Sequence, residues 1–301
     1  MALGTSTNKK TTSWGRVIII ILAAVFLIVG IVFQQLSFNT SSSASSSIQG
    51  KNTGATKNPF TTRLTETTES MSVSAIRIPA NGSLAKAAVI FLHGLGDSGD
   101  GWSWLPQLVS QSKLINDPIN YVFPNAPKIP VTINNGFAMP AWFDIYELGN
   151  PHAKQDVTGF FKSCEVLKEF ILEQHNKFNI PLEKIIIGGF SQGAAISLAT
   201  LALLDTKIGG CVALSGFCPV RNEITDRYNK NPGVNFDTPI FQGHGTVDPV
   251  INYDYGKQTS ELYKQLGFKN LKFNTYEGVA HSASEEELAD VIKFIKNIVE
   301  K

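Results

Sequence analysis

A serine positioned for nucleophilic chemistry stands at 191, within Gly189-Phe190-Ser191-Gln192-Gly193. The apolar run Ile185-Ile186-Ile187 precedes it and Ala194-Ala195-Ile196-Ser197 follows it. That pattern predicts a strand, a sharp turn and a helix with the serine at the turn, which is a nucleophile elbow. Glycines two residues either side let the backbone bend tightly and lift the hydroxyl clear of the sheet. The plain alternative is a serine that caps a helix. A downstream acid and base would decide between the two.

On a sheet of this kind the triad follows in the order serine, acid, histidine. Of the five histidines, His244 and His281 lie after Ser191. His281 sits in Glu277-Gly278-Val279-Ala280-His281-Ser282, between an expected strand at 271–276 and an expected helix from about 284. Loops at the carboxyl ends of strands are where such sheets keep their reactive groups. His281 is therefore preferred as general base, and His244 is read as a support for its own loop. Asp248, in His244-Gly245-Thr246-Val247-Asp248-Pro249, directly follows an expected strand and is the preferred acid. Its alternative role is to start an Asp-Pro turn. An acid there would hold His281 in one tautomer and stabilise the imidazolium.

The oxyanion of an acyl-transfer intermediate needs two backbone donors, one from the residue after the nucleophile and one from a loop after an earlier strand. Gln192 fits the first. Leu95, within His93-Gly94-Leu95-Gly96-Asp97-Ser98-Gly99, fits the second. The Gly94-x-Gly96-x-x-Gly99 spacing lacks the lysine and the βαβ setting of a phosphate cradle. His93 is read as fixing that loop.

The elements that must hold these residues alternate along the chain. Strands are expected near 74–79, 86–92, 119–123, 184–188, 209–214, 238–243 and 270–276. Helices are expected near 103–112, 155–176, 191–204, 253–266 and 284–299. Such alternation predicts an α/β fold, a mainly parallel sheet with helices on both faces. The last helix carries Leu288, Val291, Ile292, Ile295, Ile298 and Val299 at helical spacing, opened by a Ser284–Glu287 capping-box pair.

As a set, residues 91–102, Phe123-Pro124-Asn125-Ala126-Pro127, Ala138-Met139-Pro140-Ala141-Trp142-Phe143-Asp144, 188–193, 244–249 and Tyr276-Glu277-Gly278-x-x-His281-Ser282 closely resemble acyl-protein thioesterases of the lysophospholipase and carboxylesterase group. The resemblance runs in order from about 72 to 299. It implies an α/β-hydrolase fold, a triad of Ser191, Asp248 and His281, and oxyanion amides at Leu95 and Gln192. It also implies hydrolysis of the thioester between a long acyl chain and a protein cysteine, with S-acylated (palmitoylated) proteins as substrates and weaker action on lysophospholipids. Lysophospholipase or general carboxylesterase activity is the near alternative, and a non-catalytic module binding acyl chains or a partner is the distant one. No metal or organic cofactor is required.

The residues offer separate support for an apolar substrate. About 30 residues connect the strand ending near 123 to the helix starting near 155, too many for a structureless loop without a function. Met139, Pro140, Trp142 and Phe143 are the substrate-binding candidates there. Burying methylenes contributes roughly 0.8 kcal/mol each, on the order of 10 kcal/mol gross for a palmitoyl-length chain.

Composition fits one catalytic domain with an appendage. The 301 residues are 43% hydrophobic with a net charge of +1, so nothing points to nucleic acid. The expected organisation is a basic tail at 1–16, a candidate transmembrane signal anchor at 17–35, a Ser/Thr-rich flexible linker at 36–70 and the catalytic domain at 71–301. Residues 17–33 are apolar or glycine, about 26 Å as a helix, enough to span a thin bilayer. Lys9, Lys10 and Arg16 precede it, which predicts a single-pass membrane protein with a cytoplasmic N-terminus. The family resemblance implies cytoplasm and nucleus instead. Only Cys164, Cys211 and Cys218 occur, too few for a disulfide framework.

Overall fold

The computed structural model describes residues 73–80, 84–147 and 153–301. Its centre is a seven-stranded sheet in the order β1-β3-β2-β6-β7-β8-β9. These strands are β1 (Ala75–Ile78), β2 (Ala87–Leu92), β3 (Ile119–Pro124), β6 (Ile185–Phe190), β7 (Gly210–Leu214), β8 (Ile240–Gly245) and β9 (Leu271–Tyr276). Only β1 runs antiparallel, against β3; every other pairing is parallel. Parallel neighbours need crossovers, which the helices supply. These are α1 (Leu105–Ser112), α2 (Val157–Phe178), α3 (Gln192–Leu203), α4 (Arg221–Lys230), α5 (Tyr253–Gln265) and α6 (Glu285–Val299).

The pleat sends alternate side chains of each strand into two separate cores. Ala88, Ile90 and Leu92 of β2 and Ile185 and Ile187 of β6 face one core with α2, α3, α4 and α5. Val89, Phe91 and Ile186 face the other, built with Leu105 and Val109 of α1 and Leu288, Val291, Ile292 and Ile295 of α6. All of β2, β3, β6, β7 and β8 is buried, which is why these strands read as continuous apolar runs rather than alternating ones. In α3, 192–202 are all buried, so that helix is apolar all round instead of amphipathic.

Three elements were not foreseen. β4 (Lys128–Val131) and β5 (Phe137–Pro140) form an antiparallel hairpin apart from the main sheet, within the long connection after β3. Prolines inside both strands hid them, since proline removes a ladder donor and is tolerated only at edges. The helix α4 is rich in charge and buries only Ile224 and Tyr228, a spacing of four that gives too narrow a stripe to detect. At α6 the capping box is half formed. Ser284 Oγ accepts from the Glu287 amide at 3.1 Å, whereas the return contact from the Glu287 carboxyl to the Ser284 backbone is not a well-formed hydrogen bond.

Among the described residues no helix is long and apolar enough to cross a membrane. The longest, α2, carries Lys162, Glu165, Lys168, Glu169, Glu173 and Lys177. The tail at 1–16, the segment 17–35 and the linker 36–70 lie outside the described residues.

Candidate active site

Ser191 stands between the last residue of β6 and the first of α3 with φ 53° and ψ −115°. A non-glycine residue at positive φ is strained and persists only where its surroundings over-determine it. Here the Ser191 amide donates to the Leu214 carbonyl at 2.9 Å, and its own carbonyl accepts from Ala195 at 3.1 Å. The flanking glycines make the bend possible by space as well as by torsion. A Cβ on Gly189 would overlap the Gly193 backbone, and one on Gly193 would overlap the Leu92 carbonyl. No side chain caps α3, so the leading amides of that helix, Gln192 first, keep no partner within it.

The structure brings the expected acid and base together. His281 Nδ1 and Asp248 Oδ2 are 2.7 Å apart, with both residues almost wholly buried. Asp248 Oδ1 accepts from the amides of Val250 and Ile251, each at 2.9 Å. Burial alone would raise this carboxyl, but the His281 hydrogen bond and charge, with the two amides, outweigh it and hold Asp248 below its ordinary value. An ionised Asp248 requires His281 to carry its proton on Nδ1, which leaves Nε2 as the basic nitrogen. The imidazole packs on Phe190, the residue before the serine, with ring centroids 4.7 Å apart.

His244 makes a telling contrast. It is closed off from solvent, its Nε2 donates to the Ile251 carbonyl at 2.8 Å, and it stands 3.5 Å from Asp248. Burial pushes its pKa down. A ring so enclosed supports the Asp248 loop and has no route to a substrate.

The Leu95 loop lies directly against the elbow. A Cβ on Gly94 would sit 3.4 Å from Ser191 Cβ. The loop is tied on both sides: Gly96 donates to the Pro140 carbonyl at 2.8 Å, and the Trp142 indole donates to the His93 carbonyl at 2.9 Å. His93 itself is buried, donating from Nδ1 to Gly94 at 2.7 Å and accepting at Nε2 from the Ala126 amide at 3.0 Å. That pattern fixes one neutral tautomer, and burial lowers its pKa accordingly. The Gln192 side chain completes the bracing, accepting from the Trp142 amide at 3.0 Å and donating to the Phe143 carbonyl at 2.9 Å.

Among the substrate-binding candidates the placement is mixed. Trp142 is buried with its amide bonded to Gln192 and its indole to His93, which makes it a brace between the loops. Met139 and Pro140 are half-buried in β5, the latter supporting Gly96. Phe143 does line a cavity of about 680 Å³, together with Ile145, Phe217, Val250, Ile251 and Tyr255. The amides of Val250 and Ile251 bind Asp248, so the cavity wall and the acid share one loop. Phe217 was missed in the sequence. Its signal was available, because Ser215-Gly216-Phe217 follows the carboxyl end of β7.

The cysteines are free, and burial raises their thiols, Cys164 and Cys218 both to about 12. Thiols held so far from ionisation make poor nucleophiles.

A phospholipase/carboxylesterase family profile matches residues 74–299. The chain belongs to that family. It is 63% identical over 231 residues to an acyl-protein thioesterase 1 of Debaryomyces hansenii, covering 76% of this chain and 98% of that protein. It is 44% identical over 230 residues to an acyl-protein thioesterase 1 of Saccharomyces cerevisiae, covering 74% and 98%. Among solved structures, Zea mays acyl-protein thioesterase 2 superposes with a TM-score of 0.66 at 28% identity, covering 76% of this chain and all of that one. Arabidopsis thaliana SOBER1 gives 0.65 at 32%, covering 72% and all of that chain. The α/β-hydrolase fold and the hydrolase class follow.

These relatives also correct the expected location. The matches take up 98% of the two fungal proteins with about three quarters of this chain, so those proteins have no length left for a counterpart of residues 17–33. On that comparison the reading of a single-pass membrane protein with a transmembrane anchor is withdrawn.

Proposed function

We propose that this chain is a serine thioesterase that removes long acyl chains from protein cysteines through Ser191, Asp248 and His281. The observation that carries the reading is the Asp248–His281 hydrogen bond of 2.7 Å, with the imidazole packed at a tilt against the residue that precedes the elbow serine. The names of the fungal relatives support the substrate class.

Ser191 Oγ attacks the thioester carbonyl carbon while His281 Nε2 takes its proton. The carbonyl oxygen becomes an oxyanion received by the amides of Leu95 and Gln192. Collapse of the intermediate breaks the carbon–sulfur bond, and the imidazolium gives its proton to the departing thiolate. A water, deprotonated by His281, then releases the fatty acid and restores Ser191. Asp248 stays ionised throughout and steadies the imidazolium. The cavity at Phe143 and Phe217 offers some apolar surface for the acyl chain, with Lys154, Arg221 and Glu223 also in its lining, and its volume falls in the ordinary range for small-ligand sites.

A fluorophosphonate probe tests the nucleophile. The wild type is expected to label and Ser191→Ala to stay unlabelled; equal labelling removes Ser191 from the mechanism. The substrate class is tested by comparing kcat/KM for an S-palmitoylated peptide and a lysophospholipid. Much faster cleavage of the lysophospholipid would overturn the thioesterase assignment while leaving the hydrolase intact.

A further inference from the structure

Glu287 is 1% exposed, and neither of its carboxyl oxygens makes a well-formed hydrogen bond, the Ser284 backbone being the one hydrogen-bonding group against them. A buried ionised carboxylate without partners is strongly disfavoured, so such a group survives only as the neutral acid or with a special reason to be there. Its surroundings supply the reason. Along β8, Gln242 and His244 point towards α5, where Gln242 Nε2 donates to the Gly256 carbonyl at 2.8 Å and Gly256 leaves room for the His244 ring. Phe241, Gly243 and Gly245 therefore face the opposite side, towards α6.

On that side the two glycines open a trough. A Cβ on Gly243 would overlap Glu287 Oε1, and one on Gly245 would overlap the Val279 carbonyl oxygen. The Glu287 carboxyl and the segment 279–280, which delivers His281, thus occupy neighbouring places on one strand. From His281 to the first turn of α6 the chain has only Ser282, Ala283 and Ser284. Moving Glu287 out of the trough would drag the histidine with it.

We propose that Glu287 is a positioning residue for His281: its carboxyl fills the trough at Gly243 and keeps the histidine loop seated on β8. The inference rests on His281 being the base of the proposed reaction. The charged groups acting on Glu287 are both negative, Asp248 beyond β8 and Asp290 on its own helix, while the Tyr276 hydroxyl of β9 donates to Asp290 at 3.2 Å. Burial, with those two carboxylates adding to it, pushes the Glu287 pKa up to about 8, against a lowering by the Ser284 contact. Near neutral pH the acid is seated. As pH rises through about 8 the carboxylate forms, seeks water and pulls the first turn of α6 from the strand.

The test compares the pH dependence of kcat/KM on a water-soluble thioester for the wild type and Glu287→Gln, with Ser191→Ala subtracted for spontaneous hydrolysis. Between about pH 7 and about pH 9.5 the wild type is expected to lose about fivefold or more, and Glu287→Gln, which cannot ionise, less than about twofold. An equal loss in both overturns the proposal yet leaves Ser191-dependent activity standing. Absence of any Ser191-dependent activity refutes the functional reading itself. Infrared difference spectra over the same interval decide the matter without activity. The wild type should lose a buried protonated-carboxyl band that Glu287→Gln lacks. A wild type with no such band at pH 7, or the same band in the variant, overturns the proposal.

Discussion

The join at Ser191 and the join at His281 both carry the chain from the end of a parallel strand into a helix, yet they are built by opposite means. The elbow from β6 to α3 turns on one residue, uses no side-chain cap, and depends on glycines packed against backbone. The loop from β9 to α6 runs over several exposed or half-buried residues, is capped by Ser284, and holds its histidine through the Asp248 carboxylate and the Phe190 ring. A nucleophile fixed by backbone tolerates no change of shape around it. A base fixed by side chains can be altered chemically while the fold survives.

That contrast can be broken in order of severity. Gly193→Val places a side chain against the Leu92 carbonyl, so the protein is expected not to fold; a cooperative thermal transition in the purified variant would contradict the backbone-built elbow. Asp248→Asn should retain the amide bonds from Val250 and Ile251 and remain folded, while turnover falls on the order of 10⁴-fold because the imidazole loses its tautomer control. A fall of less than tenfold in kcat would mean that side-chain placement of His281 matters little.

Gln192→Ala is intermediate, since it leaves the elbow backbone and removes two hydrogen bonds to 142 and 143. It should lower unfolding free energy by about 1–3 kcal/mol in denaturant titrations. The pH dependence of Asp248 sharpens the same point. Its carboxyl lies below the ordinary 3.8 in the folded state, so its contribution to stability is fully present above that value and is lost as pH falls through the lower folded one. The difference in melting temperature between the wild type and Asp248→Asn should accordingly shrink only below about pH 4. The smallest effect belongs to Phe137, exposed on β5 away from both joins. Phe137→Ser should shift stability by no more than about 0.5 kcal/mol.

Much of this was legible in advance because it is local. The alternation of apolar runs and helical stripes placed seven sheet strands and five of the six described helices within a few residues of where they lie. The elbow was readable because glycine spacing, a preceding β-branched run and following small residues all act within ten positions. The bracing role of Trp142 was not legible, for the opposite reason. An aromatic in a long connection looks like a groove wall until the His93 carbonyl and the Gln192 side chain, both distant in sequence, are seen to capture it.

By itself the amino-acid sequence determined the chemistry on offer: a strained serine between strand and helix, an acid and a histidine following in order, and two runs able to present amides. Torsional freedom, periodicity and chain order are properties of neighbouring residues, and neighbours are what a sequence states. Tertiary structure alone decided that His281 meets Asp248 at 2.7 Å, which aromatics line the cavity, and that Glu287 is buried. Burial and hydrogen bonding depend on what arrives from elsewhere in the chain. His281 was preferred from its place in a loop after a strand, but only the fold shows His244 closed off from solvent and His281 bound to Asp248.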